Sequence, residues 1–443
     1  MPLLKRIYGL RGFAARFEYE SQTLLALAIK AIGVVISFSV SILITRHFGA
    51  AGAGSFALVT TTLMVASTVS LVGLDYILIR SISGDIRTER FGAALGTIQR
   101  VVKTVLSFAV LISFLIFLVS SILGPTIGSG SLLFDMLAAC AWGVIPLAAM
   151  RLVSSTLRGN ERVLLGQFLD GPASGVLALF IMLGFLARPQ FSTLLAIQVY
   201  YFAIAISAII GGLVCLGDIR KWKVEPELSN EQLIASGSKI LAVVLTSYLI
   251  DWAIIVSLSS QYSEVEVGVF RVAWQFSTLF NVVVVAFDAV SGPRIAAAWR
   301  TDDRALIGTL IRKSRLAMVM IAAPLLFAGM VWPSWFLSWF GPEFSFAENV
   351  LRILLIGQIV NIITGPVGAA LVMTGNERLS LINAFLSAVI SFAVLYFTLP
   401  AFGLYGAACA SAVAIIFRNL ATAVEVQWLI KRGTVTERVV GDR

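Results

Sequence analysis

Five charged residues stand inside long apolar stretches of this 443-residue chain: Lys30, Asp251, Arg271, Arg352 and Arg418. A charge at the middle of a bilayer costs about 2.5–3.5 kcal/mol on the insertion scale, so three or four facing lipid would cost about 10 kcal/mol, comparable with the net stability of a whole protein. They must face protein or water. Helical spacing groups them with polar neighbours: Lys30 shares a face with Ser37 and Ser41, Arg271 with Gln275 and Thr278, and Arg418 with Ser411, Thr422 and Glu425. If the cations converge on one cavity, guanidinium forks and an ammonium suit the oxygens of a phosphorylated or otherwise acidic cargo. Each has a plainer reading. Arg271 and Arg352 stand close enough to the outer interface to snorkel, Arg418 is spaced to pair with Glu425, and Lys30 also suits snorkelling or a structural pair. Asp251, flanked by Leu249, Ile250, Trp252 and Ala253, has no basic neighbour in sequence. It serves either to take up H+ or Na+ or to neutralise a cavity cation.

The elements that must position these residues follow from composition. Hydrophobic residues make up 58% and charged residues 13%, against about 25% charged in soluble domains. Windows of about 20 apolar residues, the length that crosses a hydrocarbon core about 30 Å thick, recur twelve times. They lie near 24–44, 55–74, 104–124, 132–152, 170–187, 193–217, 238–259, 268–290, 315–337, 349–371, 379–399 and 404–430, numbered below as spans 1 to 12. Basic loops resist translocation. This puts Lys5, Arg6, Arg11, Arg16 and the loops carrying Arg80, Arg87, Arg90, Arg220, Lys221, Lys223, Arg294, Arg300, Arg304 and Arg312 in the cytoplasm, with only Arg46 and Arg188 opposite. Both termini are then cytoplasmic, and the net charge of +9 reports topology, with no nucleic-acid partner implied. Residues 1–23, basic and mixed with Leu, Ile and Phe, read as an interfacial helix and not as a cleaved signal peptide.

Landmarks in the two halves repeat in order. Gly54-Ser55-Phe56 matches Gly268-Val269-Phe270 at an offset of 214, Asp75 matches Asp288 at 213, Gly124-Pro125 matches Gly341-Pro342 at 217, and Gly-Asn-Glu-Arg at 159–162 recurs at 375–378, an offset of 216. Six spans per half is an even number, so the halves share one orientation. The fold class expected is an all-α integral membrane protein of twelve transmembrane helices in two parallel six-helix lobes, MOP/MATE-like: lobes at 24–217 and 238–430, a charged linker at 218–237 containing Pro226, and a cytoplasmic tail at 431–443. Each Gly-Asn-Glu-Arg copy suits a turn, with Gly159 and Gly375 at a helix C′ position. The functional alternative is a gate in which Glu161 or Arg162 pairs across the lobes with Glu377 or Arg378. Asp75 beside Arg80, and Asp288 beside Arg294, read as structural ion pairs flanking the same gate.

What is missing narrows the class. No GxxxxGK[ST] loop is present, so no ATPase engine is encoded. The single histidine, His47, makes no metal site, and Cys140, Cys215 and Cys409 fall inside spans and give neither a disulfide framework nor a zinc site. The short outer loops leave no room for an enzyme's sugar-binding and acid residues, so transport is favoured over catalysis.

The runs RHFGAAGAGSFALV, VGLDYILIR, TLRGNERV, LIDWAIIVSLSSQYSEVEVGVF and LPAFGLYGAACASAVA together resemble the polysaccharide transporter branch (O-antigen flippase, Wzx-type) of the MOP exporter superfamily, over nearly the whole chain. Where that branch often has Gly-x-Tyr at the start of spans 2 and 8, this chain has Phe56 and Phe270. The resemblance implies a flippase of the bacterial inner membrane that carries undecaprenyl-diphosphate-linked oligosaccharide to the outer leaflet. It also implies a cationic central cavity, H+ or Na+ coupling in place of a cofactor, and, as partners, a polysaccharide polymerase and a chain-length regulator. Carried onto this chain, the diphosphate or an acidic sugar would meet Lys30, Arg271 and Arg418, with the lipid tail in the bilayer. Two other classes stand beside it: a multidrug or metabolite antiporter of the same superfamily, whose cationic cargo would prefer an acidic cavity, and a membrane-embedded transferase or scaffold.

Overall fold

The computed structural model describes the backbone of residues 2–127, 131–188, 190–227 and 233–441; side chains are described between residues 25 and 431, apart from scattered positions. The interfacial placement expected for 1–23 and the tail from 432 onward thus concern side chains outside the described residues, as does part of the 218–237 linker.

Every regular element among the described residues is helical. Eleven stretches are long and apolar enough to cross a membrane: 28–71, then Phe91–Gly124 (span 3), Leu133–Gly159 (4), Val163–Phe185 (5), Thr193–Trp222 (6), Val244–Gln261 (7), Glu264–Arg300 (8), Arg304–Val331 (9), Pro342–Thr364 (10), Glu377–Phe402 (11) and Leu404–Lys431 (12). The first is two helices joined at Gly49, whose φ of 67° leaves the helical region. Splitting it there gives span 1 (28–48) and span 2 (50–71), each near the 20 residues a crossing needs, and eleven stretches plus one make the twelve expected. Glycine reaches positive φ without steric cost, so the chain reverses there without a loop.

Several spans are broken in ways periodicity did not foretell. Span 4 passes through a 3-10 turn at Ala141–Gly143. In span 5, Leu169–Ala173 winds as a π-turn around Pro172, which cannot donate the usual backbone hydrogen bond. Span 8 is interrupted after Thr278, where the hydroxyls of Ser277 and Thr278 each donate to the carbonyl three residues back, at 2.8 Å, and compete with the backbone ladder.

The cores sort by half. Spans 2 to 6, with the helix Leu74–Arg87 that follows span 2, bury Leu63, Leu78, Val101, Val105, Cys140 and Tyr201 in one cluster, and spans 1, 5 and 6 bury Ile44, Met182 and Ala196 in another. In the C-terminal half, Leu258, Phe270, Phe280, Met318, Leu351 and Ala408 form the largest cluster, which also takes in Ala50, Ala53 and Leu58 of span 2. At that end the halves touch backbone to backbone. A methyl group added at Gly54 would run into the carbonyl of Glu264, and one at Gly268 into the carbonyl of Ala50. Two polar ties flank the crossing: Ser55 Oγ donates to Glu264 Oε2 at 2.6 Å, and Arg46 Nε to the Trp339 carbonyl at 2.9 Å. The opposite end of the bundle carries Arg80, Arg90, Arg162 and the 223–227 segment, and is called the basic end below.

The repeated Gly-Asn-Glu-Arg turns differ in backbone. Gly375 sits at φ 78°, as a C′ glycine should, but Gly159 is the last residue of a helix and the left-handed position falls on Glu161, at φ 61°. Gly159 is small for another reason: a methyl there would press within 2.8 Å of Ile82 Cβ.

Candidate functional site

A cavity of about 830 Å³ opens between the halves, within the range of about 300–1,000 Å³ typical of small-molecule sites. Its floor is Ile44, Ala53 and Phe56, just below the Gly54 crossing, and it reaches the basic end at Lys30, Tyr76 and Arg158. Spans 1, 2, 4, 5 and 6 supply most of the wall; the C-terminal half adds Tyr248 of span 7 and the 271–285 stretch of span 8.

Two of the three predicted polar stripes line this cavity in full: Lys30, Ser37 and Ser41 of span 1, and Arg271, Gln275 and Thr278 of span 8. They face each other closely enough for Gln275 Nε2 to donate to the Ser37 carbonyl at 3.4 Å. Lys30 is exposed at the mouth. Arg271 is not snorkelling: its guanidinium carbon lies 4.4 Å from the centre of the Trp274 ring, a cation–π arrangement that keeps a charge stable while leaving its N–H groups free to bind.

The third stripe is turned elsewhere. Ser411, Arg418, Thr422 and Glu425 are absent from the lining. Asn383 of span 11 donates to both Thr422 Oγ1, at 3.2 Å, and Glu425 Oε2, at 2.7 Å. Glu425 is therefore held by an amide and not by Arg418, correcting the pair expected from spacing. Arg418 instead lies within electrostatic reach of Asp251, as does Arg271. Asp251 stays behind the cavity wall. The carboxylate is thus placed as a counter-ion to two arginines, one lining and one not. Arg352 is corrected as well. It pairs with Glu348 at 3.6 Å and donates to the Met330 carbonyl at 3.1 Å and to Asn349 at 2.8 Å, outside the lining.

The expected gate pairs are not formed in this arrangement. Arg162 is bound to Asp218 of its own half at 2.9 Å, and Lys221 joins the same carboxylate at 3.2 Å. Glu377 and Arg378 are exposed. Asp75 turns into the cavity while Arg80 is exposed to the outside of the bundle, so they form no pair; Asp288 has a buried oxygen with no hydrogen-bond partner, and Arg294 is exposed. The reason is geometric: residues five or six apart on a helix do not share a face as residues three or four apart do.

The cavity also contains charges that sequence reasoning did not single out: Arg151, Arg158 and Asp170. Arg158 pairs with Asp170 at 3.4 Å, and the π-turn that carries Asp170 also presents Gly171 and Pro172 to the wall. Arg151 Nη2 donates to the Tyr248 hydroxyl at 3.2 Å, across the halves. Asp75 stands just past span 2; burial pushes its carboxyl above the usual carboxylate range, while Arg151 and backbone amides pull it back. Arg151 is the next-to-last residue of predicted span 4 and Asp170 the first of predicted span 5, positions where a charge draws little notice. Counting the lining, four cations (Lys30, Arg151, Arg158, Arg271) stand against two carboxylates (Asp75, Asp170), an excess of two positive charges.

Residues 233–397 match the MatE family model. Along nearly its whole length the chain resembles the inward-facing structure of a multidrug resistance MATE family transporter of the MOP superfamily: TM-score 0.75, 13% identity, covering 94% of this chain and 99% of that one. It also resembles a MOP superfamily transporter from Pyrococcus furiosus whose reported pocket has reversed polarity, with TM-score 0.69, 14% identity and 93% and 95% coverage. A Shigella flexneri protein whose name assigns it provisionally to O-antigen transport is 29% identical over 124 residues, which is 28% of this chain and 29% of that protein. The chain therefore has the multi-pass all-helical fold seen in MATE transporters.

Proposed function

We propose that this protein is a transporter that carries a lipid-linked, anionic headgroup across the membrane by alternating access, and that the headgroup is an oligosaccharide joined through a diphosphate to a polyprenyl lipid such as undecaprenol. The observation that carries the reading is the sign of the cavity: four cationic side chains against two carboxylates in a chamber of about 830 Å³. A permanent positive excess in a confined, low-dielectric space repels cationic drugs and attracts phosphate oxygens. The local likeness to the Shigella protein points the same way. The multidrug-antiport alternative draws on the MatE match, but its cationic cargo meets the wrong charge.

In this reading the lobes at 24–217 and 238–430 rock about the chamber, with the linker at 218–237 between them. The basic end faces the cytoplasm of a bacterial inner membrane, with both termini on that side, a placement that the excess of basic residues in those loops supports. The Gly54 crossing is then the closed outer side, and cargo enters from within. Lys30, Arg151 and Arg271 bind the headgroup while the lipid tail stays in the bilayer. Asp251, tied electrostatically to both Arg271 and Arg418, is the coupling candidate for H+ or Na+. A polymerase and a chain-length regulator are the partners that would use the product.

The test is reconstitution in liposomes with a fluorescent undecaprenyl-diphosphate oligosaccharide, following protection from a membrane-impermeant quencher. Translocation that Arg271→Ala abolishes is expected. Export of ethidium with no movement of the lipid-linked sugar would transfer the protein to the antiport class.

A further inference from the structure

Among the four lining cations, Arg151 alone donates a described hydrogen bond to a side chain of the opposite half. Its Nη2 lies 3.2 Å from the Tyr248 hydroxyl, and its guanidinium carbon lies 5.8 Å from the centre of that ring. On its own half, Arg151 is within electrostatic reach of Asp170 and Asp75. Asp170 is already held by Arg158 at 3.4 Å. Asp75 has Arg151 as its foremost charged neighbour. A guanidinium that closes on a carboxylate is lost as an anion receptor, whereas one held by a neutral phenol keeps its charge and its remaining N–H groups on offer.

We propose that Tyr248 is a positioning residue for Arg151: its hydroxyl, carried by the C-terminal half, holds the guanidinium off Asp75 and turned to the chamber while the two halves stand in this arrangement. When the halves rearrange, Tyr248 leaves with its own half and Arg151 closes on Asp75. The chamber then loses one unit of available positive charge in the state from which cargo departs. Affinity for an anion differs between the two arrangements without any residue titrating, and a carrier must have such a difference to release what it has bound. This inference rests on the anionic-cargo reading and adds a reason for release.

The experiment uses the purified full-length chain in detergent at low salt, with inorganic pyrophosphate as the probe and intrinsic tryptophan fluorescence as the readout. Wild type binds. Tyr248→Phe, which keeps the ring and removes the hydroxyl, is expected to bind at least about tenfold more weakly, the effect of losing one charge-assisted hydrogen bond to the anion once Arg151 closes on Asp75. Asp75→Asn removes a negative charge from the lining and should strengthen binding in either background, but it should do so several-fold more in Tyr248→Phe than in wild type, because only in Tyr248→Phe has Arg151 closed on that carboxylate. Wild-type binding by Tyr248→Phe overturns the positioning role. So does a double variant as weak as Tyr248→Phe, or an equal gain from Asp75→Asn in both backgrounds, since that is general electrostatics and not release of Arg151. Absence of pyrophosphate binding by wild type overturns the anionic-cargo reading itself, and this inference with it.

Discussion

At the Gly54 end the halves meet through bare backbone: Gly54 against Glu264, Gly268 against Ala50, with Leu58, Val267 and Phe270 packed around them. Nearer the basic end they enclose a chamber lined by Arg151, Arg271, Asp75 and Asp170 and are joined by single polar contacts, Gln275 to the Ser37 carbonyl and Arg151 to Tyr248. The two regions are built from opposite chemistries. Close glycine crossings gain dispersion contacts and exclude water, and they depend steeply on distance. Charged walls need water or an ion and tolerate small displacements. Span 2 thus meets the C-terminal half through close glycine approaches near both its ends, Gly54 with Gly268 and Gly73 with Gly237, while the chamber between is bridged by single polar contacts that a rocking motion can break.

The largest break in this contrast should come from filling the dry end. Gly54→Leu or Gly268→Leu forces the backbones apart at an overpacking cost of about 1–3 kcal/mol or more, which depopulates the closed arrangement by roughly ten- to a hundredfold. Transport should be lost with protein level kept, and a cysteine placed at Thr61, in the chamber wall, should become labelled by an impermeant thiol reagent added outside. Unchanged labelling would mean the crossing is no gate. Next in size is Arg271→Ala, which removes a lining guanidinium and leaves Asp251 with Arg418 alone. One or two charge-assisted hydrogen bonds, at about 1.5–3 kcal/mol each, predict roughly ten- to hundredfold weaker pyrophosphate binding. Arg271→Lys should recover only part of this, because an ammonium lacks the planar fork over Trp274. Lys30→Ala acts at an exposed mouth. A loss of a few fold is expected, shrinking as salt rises; a loss matching that of Arg271→Ala would move Lys30 into the binding core. Smallest is Arg352→Ala, whose partly exposed pair with Glu348 is worth at most about 1 kcal/mol. It should leave pyrophosphate binding unchanged and lower the melting temperature slightly.

The sequence made the two facing stripes legible, and it marked Gly54 and Gly268 as a repeat without showing that they meet. In a helix otherwise made of Leu, Ile, Val and Phe, a polar face or a repeated glycine has few competing explanations, so Lys30-Ser37-Ser41 and Arg271-Gln275-Thr278 stood out and both reached the cavity. Arg418 shows where that reasoning stops. Its stripe is real, but periodicity fixes which residues share a face and not which neighbour the face meets, and Asn383 claims that face. Arg151 and Asp170 were hidden by their positions at predicted span ends, where charge is ordinary. The Arg151–Tyr248 contact joins residues 97 apart, beyond the reach of local spacing. The Gly-Asn-Glu-Arg repeat taught a smaller lesson: identical tetrapeptides took different backbones, because Gly159 is pressed against Ile82 and Gly375 has open space around it.

The π-turn at Leu169–Ala173 gives span 5 one residue more than a regular helix would need to cover the same rise. Deleting a single residue there, at Gly171, would let the turn rewind as regular α-helix while the segments on either side keep their relative orientation, because the turn already absorbs the extra residue. Asp170, inside the turn, would lose the position it holds in the chamber wall while its neighbours along the span keep theirs. The selectivity of such a wall is therefore open to change by length as well as by composition, and a one-codon deletion becomes a route to a carrier with a new preference on an unchanged scaffold.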